Sequence, residues 1–396
     1  MSRESKRILV AGGGIGGLSV AWMLSRLGHE VTVLEQAPDF TEVGAGIQLA
    51  PNGVRALRTM GLESQVEAVI WQPDALRMRN GYDGSAIVSL PTGSAFAERY
   101  GANYYVIHRA DLLDILLRAC HDEPRVTLTT GARVTAITED ENGVAVTLAN
   151  GRMIEGDALV GADGLRSVVR QTIVGDGAPA LPRHVVYRGV IARDDLPEEL
   201  WSPSVTMWVG ANADFVHYPL RGGALFNLVV TFRSPVELDP ENTSGSFEDM
   251  AAPFEGFADE VHQLLKLLPH DRRWLVCDRA PAAGWSRGSL TLLGDAAHPM
   301  LQYLAQGACQ ALEDSEQLYA ELAAESHIPT AFDSYWKKRY LRTARVQLTA
   351  RQFIEICQAG SVLADVRARF YQGRSTEQLY DGLDWLYSPK PELRFA

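Results

Sequence analysis

Three clusters of glycine beside an acid carry the chemistry of this chain. The first is GGGIGG at residues 12–17, which sets Gly12, Gly14 and Gly17 at G-x-G-x-x-G spacing, with Glu35 downstream. Gly12 permits a tight turn, Gly14 lets a pyrophosphate approach the backbone, and Gly17 lets a helix lie close on a sheet. Glu35 offers a carboxylate where ribose hydroxyls need an acceptor. The second cluster is Gly161-Ala162-Asp163-Gly164, and the third is Gly294-Asp295-Ala296-Ala297-His298-Pro299. A dinucleotide dehydrogenase needs only the first. A longer ligand lying along one sheet draws polar groups from further strand ends, and FAD fits that demand. Its adenosine and pyrophosphate belong on the first cluster, with the ribityl chain and ring system beyond. Asp295 is suited to accept from ribityl hydroxyls. Arg109, at a predicted helix start, is suited to give forked donors to the pyrophosphate.

The elements that must position these groups are visible in the patterning. Residues 8–36, ILVAGGGIGGLSVAWMLSRLGHEVTVLEQ, form one strand–turn–helix–strand unit with the acid at its end. Pro51-Asn52-Gly53 opens a helix, and HRADLLDILLRAC (108–120) has apolar residues at helical spacing, with Asp111 in its first turn. RVTLTT, RVTAITED and VAVTLANG predict a small antiparallel meander, and DALVGADG a buried strand. From about residue 181 to 276 the pattern becomes alternating strands with Pro- and Gly-rich turns. SLTLLGDAAHPM then returns the chain to the first unit, and a helix follows from about Gln306 to Ala324. Glu313-Asp314 is expected on that helix's solvated or cap-paired face. The fold class is α/β with an α+β second domain. An FAD-binding domain takes residues 1–70, 101–180 and 280–330. An antiparallel-sheet substrate domain takes 71–100 and 181–279, and C-terminal helices take 331–396.

With 396 residues, 46% of them hydrophobic, the chain can build two or three cores. A net charge of −12 without a basic patch argues against nucleic acid. No apolar stretch is long enough to span a bilayer, so no membrane association is expected. The four cysteines (Cys120, Cys277, Cys309, Cys357) show no metal or redox spacing, which suits structural thiols in a reducing cytoplasm. No metal is expected, and His298 is expected to be structural, with backbone rather than imidazole contacts in its turn.

The three clusters, together with EVGAGIQLAPNG, HRADL, YRG, HYPLRGG and LQYLAQGACQALED, resemble the single-component (group A) flavoprotein aromatic hydroxylases over nearly the whole chain. The chain is most similar to 3-hydroxybenzoate 6-hydroxylases, with salicylate hydroxylases next. The resemblance implies a GR2-type, Rossmann-like FAD domain. It implies bound FAD, with NADH or NADPH and O2 as co-substrates and hydroxylation through a flavin hydroperoxide. It implies that Ile15, Gly16, Gln36, Gly46, Val134, Pro299, Gly307 and Ala308 join the cofactor set, and that Asp163 serves both FAD and NAD(P)H. It further implies that Tyr218 and Gln302 face the substrate.

One position departs from the pattern. Where close relatives carry a histidine base, four residues before the tyrosine of YPLRGG, this chain has Asp214. On a regular strand Asp214, Val216 and Tyr218 share a face while Phe215 and His217 share the other, so His217 does not replace the missing imidazole without a bulge. An aspartate near ~3.9 is a weak base for a phenol near ~10 unless burial raises it. Asp214 thus takes the proton through a water or hydrogen-bond chain, or binds a donor on a different substrate, or is a strand-surface carboxylate without a role. Arg188 divides evenly between attracting a carboxylate or the nicotinamide cofactor and a structural ion pair. The expected function is FAD-dependent hydroxylation of a small phenolic or aromatic acid, 3-hydroxybenzoate- or salicylate-like. The alternatives are the same chemistry on a larger or amino-bearing aromatic of a biosynthetic pathway, and a non-catalytic FAD-binding protein. The expected partner is a small aromatic substrate, and a homodimer is left open.

Overall fold

The computed structural model describes residues 4–40, 44–141, 143–236, 238–239 and 242–389. Glu42 and Val43 of the EVGAGIQLAPNG segment, and residues 390–396 of the C-terminal region, fall outside them. One sheet of six strands runs in the order Ser286–Arg287, Leu290–Leu292, Ala158–Gly161, Arg7–Ala11, Glu30–Leu34, Val126–Thr129. Every pairing is parallel except the first. Its central strands are continuous apolar runs, as strands covered on both faces must be. The register brings the clusters together: Ala11 pairs with Leu34 and with Gly161, and Gly161 pairs with Leu292. All three glycine–acid clusters therefore leave adjacent strands at one carboxyl edge, where open parallel sheets bind ligands.

The helix Ile15–Ser25 is buried along most of its length, because the sheet lies beneath it and the helices Arg109–His121 and Gly307–Ala324 flank it. The Ser19 and Ser315 hydroxyls meet at 2.7 Å across that last contact. The meander contains Val134–Asp140, Gly143–Leu148 and Met153–Gly156. The expectation that RVTLTT belongs to it is wrong. Val126–Thr129 pairs in parallel with Glu30–Leu34 and closes the six-stranded sheet. Its alternating pattern fits either edge, and the crossover helix Arg109–His121 delivers it to the parallel one.

A second sheet of seven strands runs in the order Trp274–Asp278, Ala180–Ala192, Leu225–Arg233, Ala213–Leu220, Val205–Gly210, Ala75–Asn80, Ala86–Pro91. It is antiparallel except where Val205–Gly210 meets Ala75–Asn80. One face packs Phe215, Phe226, Leu228, Val230 and Phe254 into a core of its own. The other face presents Asp214, Val216 and Tyr218 beside Thr231, Val229 and Asn227, their cross-strand partners. A two-stranded ribbon, Gly46–Leu49 with Tyr105–His108, brings Gly46 against Tyr218 and Asn227: a Cβ on Gly46 would lie 2.6 Å from the Tyr218 ring.

The 30-residue helix Ile328–Cys357 packs along Gly307–Ala324. Their interface overturns the solvated placement of Glu313-Asp314, whose side chains are 11% and 0% exposed. Arg339 Nε lies 2.6 Å from Asp314 Oδ1 and its Nη1 2.5 Å from Glu313 Oε2, while Arg342 Nη2 lies 2.6 Å from Glu313 Oε1. The cations come from a different helix, which nothing in the local sequence of Gly307–Ala324 discloses. Burial opposes both acids, but the arginines outweigh it and hold Glu313 well below the usual carboxylate range. Among the described residues no helix is long and apolar enough to cross a membrane. Replacing one partner leaves the others buried and uncompensated, so Arg339→Met should cost about 3–5 kcal/mol in urea unfolding. A loss under about 1 kcal/mol, the range of an exposed pair, would contradict a structural role for this network.

Candidate functional site

The first cluster has the form its spacing predicts. Gly12 has φ +101, in the left-handed region, and a Cβ there would sit 2.3 Å from the Ala162 carbonyl oxygen of the second cluster. A Cβ on Gly17 would lie 1.9 Å from the Gly12 carbonyl oxygen, so helix and loop touch backbone to backbone. Gly14, the N-cap residue of Ile15–Ser25, is different: a Cβ would meet nothing within 4 Å. No side chain caps that helix, so its first amides keep their donors for an anion. Glu35 already accepts from Gly13 N at 2.7 Å and Ala37 N at 2.8 Å. It stiffens the loop, and each of its oxygens keeps a second lone pair.

Asp163 is also engaged. Ser167 Oγ donates to its Oδ1, and the amides of Val168 (2.7 Å) and Val169 (3.3 Å) donate to its Oδ2. Burial pushes its pKa up against these hydrogen bonds. Its carboxylate thus caps the short helix Val168–Ile173 and fixes the loop. Asp295 is exposed, in the short turn that follows Leu290–Leu292, where neighbouring groups still partly desolvate its carboxylate. Burial raises its pKa, and His298 and Arg109 hold it back. Arg109 is the first residue of Arg109–His121, as predicted. Gly307 begins the helix Gly307–Ala324, followed by Ala308, and a Cβ on Gly307 would lie 3.9 Å from Asp295 Oδ1.

His298 departs from expectation: its imidazole, not only its backbone, is engaged. Nε2 lies 2.6 Å from Asp314 Oδ2, which also accepts from Gly294 N at 3.0 Å. The buried Asp314 therefore grips both ends of the Gly294–His298 turn. The Pro299 carbonyl accepts from Gln347 Nε2 of the long helix at 2.9 Å. Ile15 is buried, Gly16 packs on Leu293, Gln36 is exposed, and Val134 is buried at the start of its strand.

On the second sheet, Asp214 is only 2% exposed, which removes the strand-surface reading. Its Oδ1 accepts from Gln358 Nε2 at 2.7 Å. Burial pushes its pKa up to about 7, against the pull of that hydrogen bond. His217 sits on the opposite face, its Nε2 accepting from Trp208 Nε1 at 3.0 Å, and burial lowers its pKa to about 3. The pairing through this strand is unbroken, so no bulge turns it inward. Tyr218 shares the Asp214 face and is buried, its pKa raised by burial against the charge of Arg188. Arg188, paired with Val229, lies on that face too, its guanidinium 4.7 Å from the Trp274 ring centroid. Gln302 is exposed, and its Nε2 donates to Thr231 Oγ1 at 2.9 Å, one strand from Asp214.

Sequence reasoning missed Thr231, Asn227 and Gln358. Asn227 is fully buried, its Oδ1 accepting from Gly46 N at 2.7 Å while its Nδ2 has no partner among the described residues. Polar residues four apart, and so on one face of a strand, were the available signal, but Asn227 and Thr231 sit within LFNLVVTFR, which the apolar pattern dominates. Gln358, 144 positions from Asp214, left no local trace. The open space at Gly14, the exposed carboxylate of Asp295 and the orphaned Asn227 donor together fit a long polar ligand such as FAD running from the parallel sheet toward the second one.

Comparison with known proteins agrees. A model of the FAD binding domain family matches residues 5–349. Over 381 residues the chain is 44% identical to a 3-hydroxybenzoate 6-hydroxylase of Polaromonas naphthalenivorans (strain CJ2), covering 96% of this chain and 95% of that one. It is 40% identical over 355 residues to a 3-amino-4-hydroxybenzoate 2-monooxygenase of Streptomyces platensis, covering 89% and 88%. The solved structure of Klebsiella pneumoniae HpxO complexed with FAD and uric acid matches with a TM-score of 0.85 at 26% identity, over 95% of each chain.

Two outcomes follow from this geometry. Gly14→Val has room in the fold, so unfolding free energy should change by no more than about 0.5 kcal/mol while FAD is lost on gel filtration, read by absorbance of the eluted protein. An equally yellow variant would show that the ligand does not occupy that space. For Asp214, the unfolded chain, with a pKa near 3.8, binds fewer protons than the fold, where it is about 7. Stability should therefore fall as pH rises from about 4 to about 7, by on the order of 4 kcal/mol. Asp214→Asn should remove that fall, leaving the variant the more stable protein at pH 8 and level with the parent near pH 4.

Proposed function

The chain belongs to the FAD binding domain family as an FAD-dependent aromatic-ring monooxygenase using NAD(P)H and O2, and from that premise we propose that it hydroxylates a small phenolic acid, 3-hydroxybenzoate- or salicylate-like, bound against the Asp214–Tyr218 face. The observation that carries this reading is a buried carboxyl, poised at about 7, on the face that also bears Tyr218. Bound FAD supplies the redox chemistry, passing electrons from NAD(P)H to O2 so that one oxygen atom enters the ring and the other leaves as water. Gly12, Gly14, Ile15, Gly16, Gly17, Glu35, Gln36, Gly46, Arg109, Val134, Asp163, Asp295, Pro299, Gly307 and Ala308 would hold it.

The chain's own task is to make the ring electron-rich, which means accepting the phenol proton. For an ordinary aspartate near ~3.9 and a phenol near ~10 the transfer is uphill by about 8 kcal/mol. At about 7 the gap falls to roughly 4 kcal/mol, within reach of a positioned general base. Tyr218 and Gln302 orient the ring from either side of Asp214. Val216 and Val229, in the row between Asp214 and Tyr218, give it an apolar bed. Arg188 enters the same row through Val229 and supplies positive charge for the substrate's carboxylate.

A second reading has one observation in its favour. Asp214 is an acceptor where a neutral imidazole would both donate and accept, so it suits an amino group on the ring, as in the substrate named for the Streptomyces platensis relative. The four cysteines are unpaired, which supports a cytoplasmic setting.

The test is NADH and NADPH oxidation by the yellow protein with 3-hydroxybenzoate, salicylate and 3-amino-4-hydroxybenzoate, with peroxide and products quantified. One phenol should accelerate oxidation and appear as a hydroxylated product. Asp214→Asn should lower that turnover by about 10²–10⁴-fold, and Asp214→His should recover part of it for a plain phenol. Equal product yield from Asp214→Asn would remove Asp214 from the chemistry.

A further inference from the structure

The face that carries Asp214 is closed by a residue from the far end of the chain. Gln358 follows the last residue of the long helix Ile328–Cys357 and is 9% exposed. Its Nε2 lies 2.7 Å from Asp214 Oδ1 and 3.3 Å from the Thr231 carbonyl oxygen. The carbonyl can only accept, so the amide nitrogen belongs at this point; a flipped amide would set oxygen against oxygen. The backbone is pinned as well. Gln358 N donates to Ile354 O at 2.8 Å, and Gln358 O accepts at 3.0 Å from Asn212 N, just before the strand that bears Asp214. A Cβ on Gly360 would lie 2.8 Å from Ala211 Cβ, so the chain leaves the helix pressed on the same hairpin. Arg367 Nη1 donates to the Cys357 carbonyl at 2.8 Å and fastens the helix end.

We propose that Gln358 is a positioning residue for the reaction: its amide fixes the rotamer of Asp214 and favours the carboxylate form in which Asp214 accepts the substrate's proton. The inference rests on the reading of Asp214 as the base. Among the described residues Gln358 is the sole hydrogen-bond donor to Asp214 Oδ1, and Oδ2 accepts from none, which leaves it for the substrate. Among the described residues the titratable groups coupled to Asp214 are Tyr303, from the turn Gln302–Leu304, and Cys357, from the long helix, while Tyr218 and Arg188 share its face at other positions of the sheet. Burial holds Tyr303 and Cys357 well above their ordinary values, so neither carries charge at neutral pH. Arg233, at the end of the neighbouring strand, is bound to Glu355 and His184. Among the described residues no cation offsets the burial of Asp214, and the Gln358 amide is what draws its pKa back down.

The experiment is the pH dependence of kcat/KM for the FAD-loaded enzyme with the best substrate of the panel, in Gln358→Met and Gln358→Glu. Both variants remove the neutral amide donor, and the second also keeps shape and reach should methionine unfold the chain. The acid limb should move up by about one to two pH units. Rates at pH 6 then fall by roughly tenfold or more while the alkaline plateau is retained. An acid limb in its original place, or an equal fall at every pH, overturns the proposal. Asp214→Asn run beside them separates the two claims. If it keeps the parent's acid limb, the base has been misassigned. If it abolishes the limb and the Gln358 variants leave it unmoved, only the role of Gln358 fails.

Discussion

The register of the parallel sheet is the constraint on which the rest depends. Ala11, Leu34, Gly161 and Leu292 lie in one line across four strands, so the loops that follow them open side by side. Three short polar segments, each too small to grip a ligand, become one surface because their strands end together. Shifting any of these strands by one residue would separate the loops and turn every buried side chain of that strand toward the wrong face. The small residues serve the same end. Gly12 touches the Ala162 carbonyl and Gly17 touches Gly12, so loop, helix and second cluster form one close-packed body with the free helix end at its centre.

Around that body the protein handles buried acids in two ways. Glu313 and Asp314 are given arginines, a histidine and the backbone amide of Gly294, and they tie the Gly294–His298 turn to the C-terminal helices. A buried charge so compensated is inert and structural. Among the described residues Asp214 is given one amide and no cation. Burial then works against its charge, and it becomes a group that titrates near neutrality instead of a fixed anion. The contrast within one chain sets Asp214 apart from the acids that serve only as structure.

The division of labour between the sheets explains how one strand serves two cores. Phe215 and His217 turn to the side of the second sheet's own core, while Asp214, Val216 and Tyr218 share the other face, where Tyr218 meets Gly46. The period of two makes this separation automatic. It also explains why a histidine only three residues from Asp214 lies away from it: His217 is held by Trp208 on the far side.

Much of this was legible in the residues themselves. Glycine spacing, apolar runs and the acid that follows a strand are local consequences of backbone sterics and helix ends, so the nucleotide-binding unit and the two other clusters could be recognised one at a time. The period of two told which residues share a face with Asp214. What the sequence left open was decided by neighbours distant in the chain. Val126–Thr129 joined the parallel sheet because the preceding helix carried it there. Glu313 and Asp314 went inside because Arg339 and Arg342 came from another helix. Asp214 became a candidate base because a sheet, a turn and Gln358 closed over it. A carboxylate's environment depends on which surfaces exclude water and which donors reach it, and tertiary packing alone sets both.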